Sequence, residues 1–129
     1  MANYPKSKGR RSTAPFLALP KSVINTHKFW ELGGSSIKLL VQIGEQYNGI
    51  NNGDLQASFS VLQEKGWRSK ETLNNALKEL IEKKFIYKTR QGGFPNKCSL
   101  FAITWRTLDY SEKYDAGAIS QFKIGIWKD

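Results

Sequence analysis

The sequence predicts an α+β domain, a three-helix core followed by a β-hairpin, with a basic N-terminal arm and a C-terminal tail. Three observations carry this expectation. Apolar residues recur at helical spacing in three consecutive segments between residues 36 and 84. Two segments rich in β-branched and aromatic residues, FIYKTR and SLFAITW, follow them, joined by QGGFPNKC with its two glycines and proline. Between the helical segments lie YNGINNGD and EKGWRSK, both supplied with residues that turn or cap a backbone.

Each element has its own reason. Residues 1–15 are polar and basic without periodicity and read as a flexible arm. FLALP is a short extended anchor. SVINTHKFWELG holds a short helix with Val23, Phe29, Trp30 and Leu32 on its apolar side, ended by Gly33 and Gly34. Ser35 or Ser36 then caps a helix over 36–46, whose stripe runs Ile37, Leu40, Val41, Gly44 and Tyr47, widened by Leu39 and Ile43. Gly44 on that face admits a close neighbour. Leu55, Phe59 and Leu62 place a second helix over 54–65, stopped by Gly66. Ser69 caps the third, 70–84, whose face is Leu73, Ala76, Leu77, Leu80 and Ile81. Its charges suit the macrodipole, Glu71 near the start and Lys83 and Lys84 at the end. Residues 16–110 form the domain, and 111–129 are a tail. There QFKIGIW alternates, with Phe122, Ile124 and Ile126 on one side, so that it either adds a strand or packs across the core.

Composition narrows the function. The chain has 129 residues, 40% hydrophobic and 12% aromatic, enough for one ordinary core. No run of eighteen apolar residues offers a membrane span, and no apolar segment follows the basic N-terminus as a secretory signal requires. A single cysteine, Cys98, excludes an internal disulfide and any multi-cysteine zinc site. Net charge is +9, unevenly spread. Residues 1–28 carry six basic residues and no acid, and residues 65–97 carry nine basic and three acidic. Two such blocks point to a polyanion.

YNGINNGD is not a metal or phosphate loop. If Gly53 held the glycine position of a calcium loop, Ile50 and Phe59 would fall at ligand positions, and no lysine serves a P-loop. It reads as a corner, with Gly49 and Gly53 at positive φ and Asn51, Asn52 or Asp54 capping the next helix. Two helices joined by about four residues around a glycine have helix-turn-helix spacing. With the basic hairpin directly after them, the succession is that of a winged helix. The runs YNGINNGDL, GWRSKETLNNALKELIEKKFI, KTRQGG and SLFAITW also resemble a group of small helix-turn-helix proteins of bacterial mobile elements and prophages. That group has a similar NNGDL and GWRSK pair, a TRQGG wing and an aromatic-ending strand. The resemblance spans about residues 16–110 and implies a winged-helix DNA-binding fold.

On that reading the partner is double-stranded DNA. A helix about 10–12 Å across fits the major groove. The face of helix 70–84 away from its leucines offers Glu71, Asn74, Asn75 and Lys78, with Lys70 and Thr72 at the N-terminal end. Asn bonds bidentately to adenine, Glu accepts from cytosine, and Lys suits phosphate or guanine. Arg68 and Ser69 stand at the helix start, where a phosphate is favoured. Trp67 reads as a core wedge. Lys88, Arg90, Gln91 and Lys97 surround the wing glycines and suit phosphate or the minor groove. The arm adds Lys6, Lys8, Arg10 and Arg11.

No enzyme is expected. His27 and Cys98 lack orienting partners, and no paired carboxylates, metal spacing or cofactor fingerprint can be assembled. The expectations are therefore a cytoplasmic, nucleoid-associated transcriptional regulator of a mobile element, with no cofactor. Pairing into a homodimer is expected, because two half-sites raise effective concentration. Two alternatives stand beside it, a replication or excision accessory protein and a winged-helix module that docks proteins rather than DNA.

Overall fold

The computed structural model describes residues 14–93 and 95–128. The arm with Arg10 and Arg11, and Phe94 at the hairpin tip, lie outside the described residues. Among those described, six α-helical segments and a two-stranded antiparallel sheet make an α+β architecture.

The expected first helix is two single turns, α1 (Lys21–Ile24) and α2 (His27–Trp30). Thr26 causes the break. Its hydroxyl donates to Val23 O at 3.0 Å and accepts from Phe29 N at 3.2 Å, capping α2 as a new start. The phase changes with it. Val23 and Leu32 are buried and Phe29 packs edge-on against Phe85, but Trp30 is 60% exposed.

The next helix, α3 (Gly34–Gly44), begins before the expected serine caps, with Gly33 at the cap position. Ser36 is buried within it, and its hydroxyl bonds to the Glu79 carboxylate and lies 3.5 Å from Ala76 O. The buried side is Ser36, Leu39, Leu40, Ile43 and Gly44. The stripe is thus turned from the expected one, and Val41 faces solvent. Gly44 does admit close neighbours: a Cβ there would lie 3.1 Å from Leu17 Cδ1, beside Trp105.

The second expected helix is the main correction. No helix begins near Leu55. Residues 54–58 are not helical, Leu55 making a bridge instead, and only α4 (Phe59–Leu62) and a 3₁₀ turn over Gln63–Lys65 are helical. The competing partners are visible. Leu55 N donates to Phe101 O at 3.1 Å and Phe101 N returns a bond to Leu55 O at 2.7 Å. The Gln46 carboxamide takes both backbone groups of Gln56, at 2.7 and 3.0 Å. A backbone whose donors and acceptors are used sideways has none left for a helix. Asn51, Asn52 and Asp54 therefore cap no helix.

Gly66, at φ +97°, ends the 3₁₀ turn as expected. From α3, Lys38 Nζ reaches Gly66 O at 2.8 Å and Gln42 Nε2 reaches Lys65 O at 3.1 Å. Trp67 is the expected wedge, buried, with Nε1 donating to Gln42 Oε1 at 2.6 Å. The last long helix, α5 (Lys70–Glu82), packs Leu73, Ala76 and Leu80 against α3 and the core. Its exit is tight: Phe85 N bonds to Leu80 O and Lys84 N to Ile81 O, both at 3.0 Å, and Lys84 sits at φ +67°. This is the six-to-one closure that usually takes glycine at the left-handed position.

Strands β1 (Ile86–Arg90) and β2 (Leu100–Ile103) pair antiparallel, Ile86 opposite Ile103 and Lys88 opposite Phe101. The register slips between Lys88 and Arg90, turning Thr89 inward to donate to Gly53 O at 2.7 Å. Gly53 itself has φ +117°, and a Cβ there would collide with Tyr114 and Leu108. Beside it, Asn52 is fully buried. Its Oδ1 accepts from Ile103 N at 2.9 Å, and its Nδ2 faces the carbonyls of Ile103, Arg106 and Thr107 at 2.9–3.2 Å.

Among the described residues the tail adds no strand. It carries α6 (Ala118–Gln121) and a 3₁₀ turn over Ile126–Lys128, and it packs through Trp127 into the core and through Phe122 edge-on to Tyr87. Its interior bonds go to distant groups, Gly125 N donating to Thr104 O at 2.8 Å and Ala118 O accepting from the Tyr87 hydroxyl at 2.8 Å. Strand pairing of QFKIGIW would forgo these. Tyr114 lies against the corner, its hydroxyl 2.6 Å from Asp109 O. Burial, reinforced by the carboxylates of Asp54 and Asp109, pushes its phenol up to about 12.

Two stability outcomes are expected. Asn52→Ala leaves a buried N–H and carbonyls without partners and lowers unfolding free energy by about 3 kcal/mol; a loss under about 1 kcal/mol in urea titration would contradict the role given to Asn52. Lys84→Gly relieves the left-handed lysine and raises stability by about 1 kcal/mol, read as a higher urea midpoint.

Candidate functional site

α5 builds the site because its two faces are held apart. Leu73, Ala76 and Leu80 are drawn to the core, so the opposite residues at helical spacing are turned outward. Lys70, Glu71, Thr72, Asn74, Asn75 and Lys78 are all exposed, as are Arg68 and Ser69 just before them. Ser69 is committed to capping, its Oγ accepting from Thr72 N at 3.1 Å.

The outward face is bordered on both sides. On one, Thr72 and Asn75 share a cleft with Gly33–Ser36 at the start of α3. Glu79 closes its floor, its carboxylate accepting from Gly33 N at 3.3 Å and from Ser36 Oγ. A carboxylate at that helix start satisfies its donors and its dipole. Sequence reasoning missed Glu79, whose helix position alone does not distinguish it from a solvated residue. On the other side, Asn74 and Leu77 face Cys98, Ser99 and Phe101 of the hairpin across a cleft of about 260 Å³. The structure thus brings Asn74 and the hairpin base together, and sets Asn75 toward the opposite cleft.

The hairpin residues divide. Lys88, Gln91 and Lys97 are exposed, with Lys88 Nζ 2.7 Å from Gln91 Oε1. Arg90 is half-buried and engaged across the hairpin, Nε and Nη2 donating to Cys98 O at 3.1 and 2.7 Å. Its charge therefore sits at the base of the loop. Gly93 and Lys97 close the loop by a pair of backbone bonds at 2.7 and 3.0 Å.

A brace from the tail orients this loop. Asp115 Oδ2 accepts from Gln91 N at 2.8 Å while Asp115 N donates to Thr89 O at 2.9 Å. No short-range pattern announces Asp115, because its partners lie some 24 residues earlier in the chain.

The charges are segregated. Among the described residues there are two ion pairs, Lys83 with Glu31 and Lys113 with Asp54, both at 2.9 Å. The Lys83 ammonium holds the Glu31 carboxyl below its ordinary range. Asp109, Asp115 and Glu79 are taken up by backbone or hydroxyl donors. Arg68, Lys70, Lys78 and Lys97 consequently have no ion-pair partner among the described residues. Among the same residues no cluster of three His, Cys, Asp or Glu could hold a metal, and no helix is long and apolar enough to cross a membrane.

Comparison with family models, with curated proteins and with solved structures finds no match. The resemblance carried by NNGDL, GWRSK and TRQGG rests on those residues alone.

Asp115→Ala is expected to speed hydrogen exchange of the Gln91 amide about fivefold while leaving the α5 amides unchanged, as loss of one local bond should. Equal exchange in both proteins would remove the brace.

Proposed function

We propose that the chain is a winged-helix protein that binds double-stranded DNA, with α5 in the major groove and the β1–β2 loop against the adjacent backbone. Its first biological reading is a transcriptional regulator of a mobile element. The observation that carries the proposal is the outward face of α5, free of other elements, next to a cationic hairpin and furnished with unpaired cations. The bridge between Leu55 and Phe101 adds support. It sets the segment between α3 and α4 against β2, so the chain order over this region is helix, bridge, helix, helix, strand, strand.

Roles follow from chemistry. Asn75, Asn74 and Glu71 offer base-edge donors and acceptors, and Lys78 suits guanine or phosphate. Arg68, Lys70, Lys88 and Lys97 neutralise phosphates and set register without carrying sequence information. Arg90 shapes the loop and lends its charge from behind. Arg10 and Arg11 of the arm are proposed as further phosphate or minor-groove contacts. A second copy on a neighbouring half-site is the proposed route to useful affinity.

The test is selection of bound fragments from random duplex DNA, followed by affinity measurement across a salt series. Four phosphate contacts give a log–log salt slope near −3.6, so affinity should fall about a hundredfold between 50 and 200 mM salt. Lys78→Ala should make the slope shallower by about one unit if Lys78 meets a phosphate. Asn75→Ala should relax the selected motif at one or two positions, worth about 1–3 kcal/mol there. Affinity that is flat in salt, or no enrichment of any sequence, sinks the proposal.

A further inference from the structure

At the far end of α5 lies a groove that meets the proposed DNA face only at Lys88. Its walls are Ile81 of α5, Ile86 and Tyr87 of β1, and Ile126 of the tail, with Thr104 beneath, enclosing about 320 Å³. Ile86 and Thr104 are buried at its base, while Ile81, Tyr87 and Ile126 are half-buried and reach its surface. Lys84 and Lys88 stand on its edge, and no acid lines it.

We propose that this groove docks an acidic amphipathic segment of a partner protein, its apolar side chains on the isoleucines and its carboxylates on the lysines. Charge complementarity selects this occupant. Both lysines are exposed, and neither has an ion-pair partner among the described residues. A nucleic-acid backbone would meet the lysines but leave the apolar walls facing water. A segment with leucines on one side and carboxylates on its flanks satisfies both, in the manner of a helix laid into a groove. Lys84 supplies a second argument. It occupies a left-handed position, φ +67°, where glycine would be relaxed. A lysine held there at a cost in backbone strain fits a residue whose ammonium is used.

This proposal shares Lys88 with the DNA reading, but Lys84, Ile81 and Ile126 lie outside the DNA-facing set, so its test turns on Lys84. The test is panning of short random displayed peptides on the full chain, in parallel with its Lys84→Glu and Lys84→Gly variants. Enriched peptides are then measured by fluorescence anisotropy and mapped by amide shifts. The expected result is enrichment of Asp or Glu beside Leu, Ile or Phe, with shifts at Ile81, Lys84, Ile86, Tyr87 and Ile126. Charge reversal at Lys84 should weaken binding about tenfold or more. Lys84→Gly separates binding from folding, because it should weaken the peptide while stabilising the domain. No enrichment, enrichment of basic peptides, affinity indifferent to Lys84, or shifts elsewhere overturns the proposal. So does a duplex DNA that displaces the peptides and itself loses affinity in Lys84→Glu.

Discussion

The carboxamide of Asn52 joins the two halves of the molecule. On one side is the corner that ends the α3 segment, and on the other the strand end and turn at Ile103–Thr107. A buried amide of this kind tolerates no vacancy, since each backbone group it serves would otherwise lie dry and unbonded. Gly53 next to it brings the chain close to Tyr114 and Leu108, and passes its carbonyl to Thr89. The hairpin is thereby hung from the corner. Its loop emerges beside α5 because of this attachment, and the cleft between Asn74 and Cys98 is the consequence.

Charge is arranged around that frame. Four of the eleven acids hold segments together: Glu79 at the start of α3, Asp109 at the Asn52 backbone, Asp115 at the hairpin, and Asp54 with Lys113. What remains outward on the N-terminal half of α5 and on the hairpin is mainly cationic. A net charge of +9 spread evenly would say little about a partner. The same charge gathered on α5 and the hairpin becomes a directed field, the property that speeds encounter with a polyanion. Glu71 is the exception on this face, and its acceptor oxygens fit a base edge better than a phosphate.

The legible parts of the chain were those ruled by short-range physics. The α5 segment announced itself because Ser69, the leucine spacing and the macrodipole charges all lie within one element, and its outward residues follow from the same period. Gly66 and Trp67 were readable for similar reasons. The bridge at Leu55 was not, because Leu55, Phe59 and Leu62 also satisfy a helical spacing. The deciding partners, Phe101 and the Gln46 amide, are remote or outside the periodic pattern. Val41 and Trp30 were misplaced by an apolar count that could not see the phase set by Gly33 and Thr26.

By itself, then, the sequence determined the helix that carries the outward Asn and Lys residues, the corner before it, the basic hairpin after it, and the two blocks of positive charge. These depend on backbone period, capping and composition, which act over a few residues. Tertiary structure alone decided that Leu55 bridges to Phe101 at the sheet edge, that Arg90 ties the hairpin instead of reaching from it, that Asp115 braces the loop, and that the tail lies across the core instead of pairing as a strand. Each of those outcomes turns on a backbone group finding a partner from elsewhere in the fold, and that pairing exists only once the chain has closed on itself.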